Sequence, residues 1–85
     1  MSIHHNRLRK YRLDAGLSQA QVAKVLRLRS PASVSRWERA ERLPTPDRLL
    51  ELSALYNRLV NDLLWPRYTE ARDRVNRRVR SLSKP

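Results

Sequence analysis

The sequence predicts an all-α protein, and three observations carry that expectation. Apolar residues recur at i, i+3 and i+4 through most of the chain. Those runs are bracketed by helix start and stop signals, a capping hydroxyl or proline in front and a glycine or asparagine behind. One glycine and no phenylalanine among 85 residues fit helices joined by few tight β turns. A chain of this length makes one small domain with a thin core, and such domains often gain stability from a partner subunit.

The elements follow in order. Met1–His5 reads as a frayed start, and the adjacent His4 and His5 do not share a helix face, so no metal site is expected there. A first helix is predicted from about Asn6 to Ala15, with Leu8, Tyr11 and Ala15 inward and Arg7, Arg9 and Lys10 outward. Gly16 stands where a C-terminal cap belongs, with Leu17 as its apolar contact. Ser18 and Gln21 have the spacing of a capping box, and Val22, Ala23, Val25 and Leu26 give a second helix over Gln19–Arg27. Ser30-Pro31 starts a third: a capping hydroxyl, then a residue with no N–H to leave unpaired. Val34 and Trp37 bury one face of it, while Ala32, Ser33, Arg36 and Arg39 fall on the other. Small, polar and arginine side chains on one face of a short helix suit an approach to base edges and phosphates.

Pro44 and Pro46 exclude a continuing helix, and Leu43 is expected to drop back into the core. Thr45-Pro46-Asp47 restarts a helix that runs to about Tyr56, with Leu49, Leu52, Leu55 and Tyr56 as its stripe and Asn57 as its left-handed end. A short fifth helix holds Leu59, Val60, Leu63 and Leu64, and Trp65 closes the run. Residues 1–65 therefore form the domain, and residues 66–85 a basic helix or tail. Within the tail, Tyr68, Ala71, Val75, Val79 and Leu82 recur every three to four residues, and Glu70 with Arg74 and Asp73 with Arg77 are favourable i, i+4 pairs. A helix of about 14 residues with so thin a stripe is marginal alone. It must dock on its own domain, dock on a second subunit, or stay partly disordered.

Charge narrows the function further. Nineteen basic residues against eight acidic give a net charge of +11, and only three of the nineteen are lysine. Arginine forks bind phosphate and guanine edges bidentately, so on charge alone a nucleic-acid partner and a merely soluble surface stand level, and the helix pair at Gln19–Arg39 tips the reading to DNA. The chain has no cysteine, hence no disulfide framework and no thiolate metal site, a composition compatible with a reducing cytoplasm. No signal peptide and no membrane span is expected: no apolar run approaches the required length. A basic amphipathic helix over residues 67–82 leaves surface attachment to a membrane as a minor alternative.

The stretch from Gly16 to Glu38 resembles the helix-turn-helix of the XRE family, the Cro and lambda-repressor-like DNA-binding domains, and the resemblance covers about residues 6–64. The matching residues are Arg12, Gly16-Leu17-Ser18-Gln19, Val22-Ala23, Leu26 and Val34-Ser35-Arg36-Trp37-Glu38-Arg39, with Leu49 to Leu64 matching the hydrophobic helix pair that follows. Arg27 stands where the family usually has glycine, the turn at Arg29-Ser30-Pro31 looks one residue longer, and Ala40 replaces another common glycine. The resemblance implies a five-helix domain, a structural pair between Arg12 and Glu38, a loop after Glu38 that runs beside the DNA backbone, and a dimer face near the fifth helix.

The leading functional reading is thus a sequence-specific binder of double-stranded DNA, a small cytoplasmic repressor acting as a homodimer, with no room for a sensor or effector domain. Ala32, Ser33 and Arg36 are the candidate base contacts, Arg36 toward guanine. Gln19, Arg29, Ser35, Arg39 and Arg42 are the candidate backbone contacts. Leu59, Leu64, Trp65, Tyr68, Val75 and Val79 are the candidate dimer face. A second reading is an antitoxin or anti-activator that binds a protein partner. An enzyme is disfavoured, since no nucleophile–base–acid set, metal-ligand cluster or phosphate-cradling glycine loop is found, and no cofactor is expected.

Overall fold

The structure is a computed structural model that describes residues 6–83; the expectations for Met1–His5 lie outside that range. The described residues form six helices and no strand: α1 (Leu8–Asp14), α2 (Gln19–Val25), α3 (Ala32–Glu38), α4 (Pro46–Tyr56), α5 (Val60–Leu63) and α6 (Arg67–Leu82).

Helix starts follow local chemistry. Ser18 Oγ accepts the Gln21 N–H at 3.0 Å and Gln21 Oε1 accepts the Ser18 N–H at 2.8 Å, a complete capping box on α2. Thr45 caps α4, with Pro46 at its first position and Asp47 in its first turn. Two starts differ from expectation. α1 begins at Leu8 rather than Asn6, because the Asn6 side chain is used as a clamp. Its Oδ1 accepts the Leu8 N–H at 3.1 Å and its Nδ2 donates to the Trp37 carbonyl at 2.8 Å. In α3, Pro31 rather than Ser30 occupies the capping position, and Ser30 Oγ accepts the Ala32 N–H at 3.3 Å from one residue further out.

Four helices end in the same way. After α1, α2, α3 and α4 a single residue turns left-handed: Gly16 (φ 73°), Arg27 (φ 58°), Ala40 (φ 59°) and Asn57 (φ 54°). In each case two N–H groups fold back on the last turn, as Leu17 to Arg12 and Leu28 to Ala23 show at 3.1 and 2.8 Å. The two places where glycine was missing from the sequence pattern therefore keep the backbone that glycine would favour. α2 consequently stops at Val25, with Arg27 already outside it.

One apolar core joins the helices. Leu8 and Tyr11 of α1, Val22 and Ala23 of α2 with Leu26, Val34 and Trp37 of α3, Leu52 and Tyr56 of α4, and Leu63 of α5 are all buried. Four expected core residues lie outside it, of which Leu49 is half-buried and the other three are exposed. Ala15 is exposed because the chain turns there toward Gly16. Val25 is 57% exposed, since it lies roughly a quarter turn round α2 from the side shared by Val22, Ala23 and Leu26. Leu43 is 47% exposed, and the neighbouring Pro44 takes the buried place.

The polar exception in this core is an ion pair. Arg12 Nε donates to Glu38 Oε2 at 2.6 Å and Arg12 Nη2 to Glu38 Oε1 at 3.1 Å, with the two side chains 9% and 3% exposed. Arg12 Nη1 donates to the Leu17 carbonyl at 2.9 Å, and Gln19 Nε2 adds a bond to Glu38 Oε1 at 3.0 Å. The carboxylate raises the Arg12 pKa still further, so the guanidinium stays charged. Burial, and then the Glu38 charge, push the Tyr56 phenol up to about 12.

α6 is continuous over sixteen residues but contributes nothing buried. The expected pairs of Glu70 with Arg74 and Asp73 with Arg77 are absent; Asp73 bonds instead to Arg72 at 3.2 Å. Exposed i, i+4 pairs are worth only a few tenths of a kcal/mol, too little to hold the side chains together.

Two outcomes follow. Ala40→Gly relieves a left-handed alanine and should stabilise the domain by about 1 kcal/mol, read as a higher urea midpoint at unchanged slope. Arg12→Ala or Glu38→Ala strands a buried charge at a cost of about 3–5 kcal/mol, and the double variant should lose clearly less than the two losses added together in the same urea titration.

Candidate nucleic-acid interface

α3 is a two-turn helix with one committed side. Val34, Trp37 and Glu38 are buried, and the clamps from Asn6 to the Trp37 carbonyl and from Arg12 to Glu38 act on its last turn. The opposite side is therefore held outward at a set angle. Ala32, Arg36 and Arg39 are exposed there, and Ser33 and Ser35 are half-buried at its two margins.

The cations around α3 differ in what they already hold. Arg36, Arg29 and Arg42 are exposed and make no ion pair among the described residues. Arg39 is engaged in part, its Nε lying 3.1 Å from Glu41 Oε2. Arg29 precedes α3 and Arg42 follows it, so free guanidinium groups stand before, on and after one outward face. Ser33 and Arg42 also line a shallow open cleft of about 360 Å³ with Leu28, Trp37, Leu43, Thr45 and Arg48.

Gln19 stands at the opening of α2 and is turned partly inward, since its amide donates to Glu38. The capping box uses the N–H groups of Ser18 and Gln21, while those of Gln19 and Ala20 find no acceptor among the described residues. These two N–H groups are donors available at the mouth of the helix.

Two positioning residues escaped the sequence reading. Arg48 Nη1 donates to the Leu26 carbonyl at 2.7 Å and to Glu51 at 2.9 Å, tying the end of α2 to the start of α4. Its i, i+3 spacing with Glu51 was visible in the sequence; its reach to Leu26 was not. Asn6 could have been read as a capping side chain two residues ahead of Leu8, but nothing local points to Trp37.

The residues expected at a dimer face are divided by the fold. Leu59 is 68% exposed, Leu64 packs against the core, and Trp65 and Tyr68 are half-buried with their rings 5.8 Å apart. The Trp65 ring is approached by two guanidinium groups, Arg7 at 5.8 Å and Arg72 at 6.0 Å. Val75 and Val79 lie further along α6, about half exposed.

No group of His, Cys, Asp or Glu among the described residues is arranged to hold a metal ion, and no helix there is long and apolar enough to cross a membrane. Comparison with curated proteins and with solved structures returns no match. A family model described as helix-turn-helix matches residues 8–63, the span from the start of α1 to the end of α5. The buried Arg12–Glu38 pair, the capped α2 and the outward face of α3 all lie inside that span, and the chain belongs to the helix-turn-helix family of XRE-like DNA-binding regulators.

Proposed function

We propose that the protein is a repressor that binds double-stranded DNA in a sequence-specific manner, as a homodimer on an operator of two half-sites. The observation that carries this reading is the outward face of α3, where Ala32 and an unpaired Arg36 project from a helix whose other side is locked in the core. Placed in the major groove, Arg36 offers its fork to guanine O6 and N7, Ser33 serves either a base or a phosphate, and Ala32 meets a thymine methyl. Arg29, Ser35, Arg39 and Arg42 contact phosphates on either side, with Gln19 and the free N–H groups at the mouth of α2 holding another. Such contacts position the domain but do not read sequence. A bound dimer occludes the DNA it covers, which is the simplest route to repression.

A single helix of seven residues reads few base pairs, so two half-sites about one helical turn apart supply the selectivity. The dimer contact draws on Leu59, Leu64, Trp65 and Tyr68, the apolar residues gathered around α5. The expected face also took in Val75 and Val79, but the arginines beside those valines favour a different occupant.

Arg36→Ala should cost about 1–3 kcal/mol on the operator and much less on random DNA, whereas Arg42→Ala should weaken both alike; equal losses for Arg36→Ala would make it a backbone contact. If the dimer neutralises about 8 phosphates, log K should fall against log salt with a slope near −7, and a slope shallower than about −2 contradicts the phosphate contacts. Leu59 is exposed enough to be changed without disturbing the core, so Leu59→Asp should shift the protein to monomer in sedimentation while its melting curve stays close to the parent's.

A further inference from the structure

Among the described residues, α6 meets the other helices through its first two turns, from Arg67 to Arg72. The Tyr68 N–H donates to the Leu64 carbonyl at 2.9 Å, the Tyr68 ring lies against Trp65, and Arg72 reaches back over the same indole. Beyond Arg72, Val75, Val79 and Leu82 are 50%, 56% and 83% exposed. With Tyr68 and Ala71 they form one stripe roughly 80° wide on a helix of 3.6 residues per turn.

The charges around that stripe all have one sign. On the same helical geometry Arg72 flanks it on one side, and Arg67, Arg74 and Arg78 flank it on the other. The two acids of the helix, Glu70 and Asp73, fall on the far side. Charges beside an apolar seam set which helix or groove can pack there. A second copy of α6, parallel or antiparallel, brings the same arginines to the seam, so α6 against α6 is the worst matched of the available pairings. DNA is poorly matched too, because an apolar stripe offers nothing to phosphate. A lipid surface would be met best by Trp, Phe and Leu, whereas the outer stripe holds two valines and one leucine.

We propose that α6 is a docking helix for another protein, seating Val75, Val79 and Leu82 in an apolar groove rimmed by Asp and Glu side chains that meet Arg72, Arg74 and Arg78. The DNA-binding domain and the docking helix would then work from separate surfaces, so a partner can hold the regulator without covering α3.

The full chain is titrated by fluorescence anisotropy, at physiological salt, with two synthetic amphipathic helices that share a Leu–Val stripe. One is flanked by glutamates, its twin by lysines. The Glu-flanked helix should bind at least about tenfold tighter than its twin. Val75→Ala with Val79→Ala keeps the helix, since alanine is the best helix former, and should lower that affinity about tenfold while operator affinity stays unchanged. Arg74→Glu with Arg78→Glu should reverse the preference between the peptides. Equal binding of the two peptides, or binding indifferent to the valine substitutions, overturns the proposal. So does loss of the dimer in sedimentation on the same valine substitutions, which makes a second copy the occupant. Valine-dependent uptake on phosphatidylglycerol vesicles without peptide preference makes it a lipid surface. Operator affinity measured in parallel keeps a failure of DNA binding separate from a failure of docking.

Discussion

The Glu38 carboxylate is the group that the rest of the domain must accommodate. It sits at the end of α3, almost wholly removed from water, and its two oxygens receive three N–H groups, two from Arg12 and one from Gln19. An ionised carboxylate tolerates such a site only when its partners are in place. Satisfying it therefore fixes α1 and α2 relative to α3. Arg12 adds a bond to the carbonyl of Leu17, which continues the constraint into the turn between α1 and α2. The orientation of the outward side of α3 is a by-product of this arrangement. Hydrophobic packing is not directional, and the bonds at the last turn of this short helix supply the direction that packing lacks.

How much of this could be read from the chain depends on the range of each interaction. The capping box of Ser18 and Gln21, the restart at Thr45-Pro46 and the left-handed Asn57 involve residues within three or four positions of one another, and all were legible. The ion pair between Arg12 and Glu38 spans 26 positions. Periodicity alone left Arg12 at the edge of a stripe; only its place in a family pattern pointed to Glu38. Asn6 and Arg48 were missed for the same reason, since their partners, Trp37 and Leu26, lie 31 and 22 positions away. Arg27 and Ala40 looked like departures because the sequence pattern expects glycine where the backbone turns left-handed. The backbone turns there regardless, because the N–H groups of the turn have carbonyls of the preceding helix to bond to.

At the candidate site the outward face of α3 was legible, because a helix with Val34 and Trp37 on one side must show Ala32 and Arg36 on the other. The condition of each cation was not. That Arg39 leans on Glu41 while Arg36 and Arg42 make no ion pair depends on side-chain rotamers and on a loop whose path the sequence does not specify. The tail behaved similarly. Its helical period was plain, but whether the stripe found cover on the same chain depended on where α5 ends and points, and among the described residues it finds partial cover at Tyr68 and Ala71.

α1, α2 and α3 are each seven residues long. Two turns of helix do not repay the entropy of nucleation in water, so none of the three persists outside the assembled core. The domain consequently has no stable halfway form: opening any one of these helices exposes the Glu38 site and dissolves the others. Backbone amides from α1 to α3 should then exchange with solvent through one common event, at a rate set by global unfolding. α6 stands outside that unit. Beyond Arg72 its residues are exposed, so their amides should report a local equilibrium separate from that of the core. The molecule thus joins a body that opens as one unit to an arm whose opening is its own, and the arm can meet new neighbours while the body stays folded.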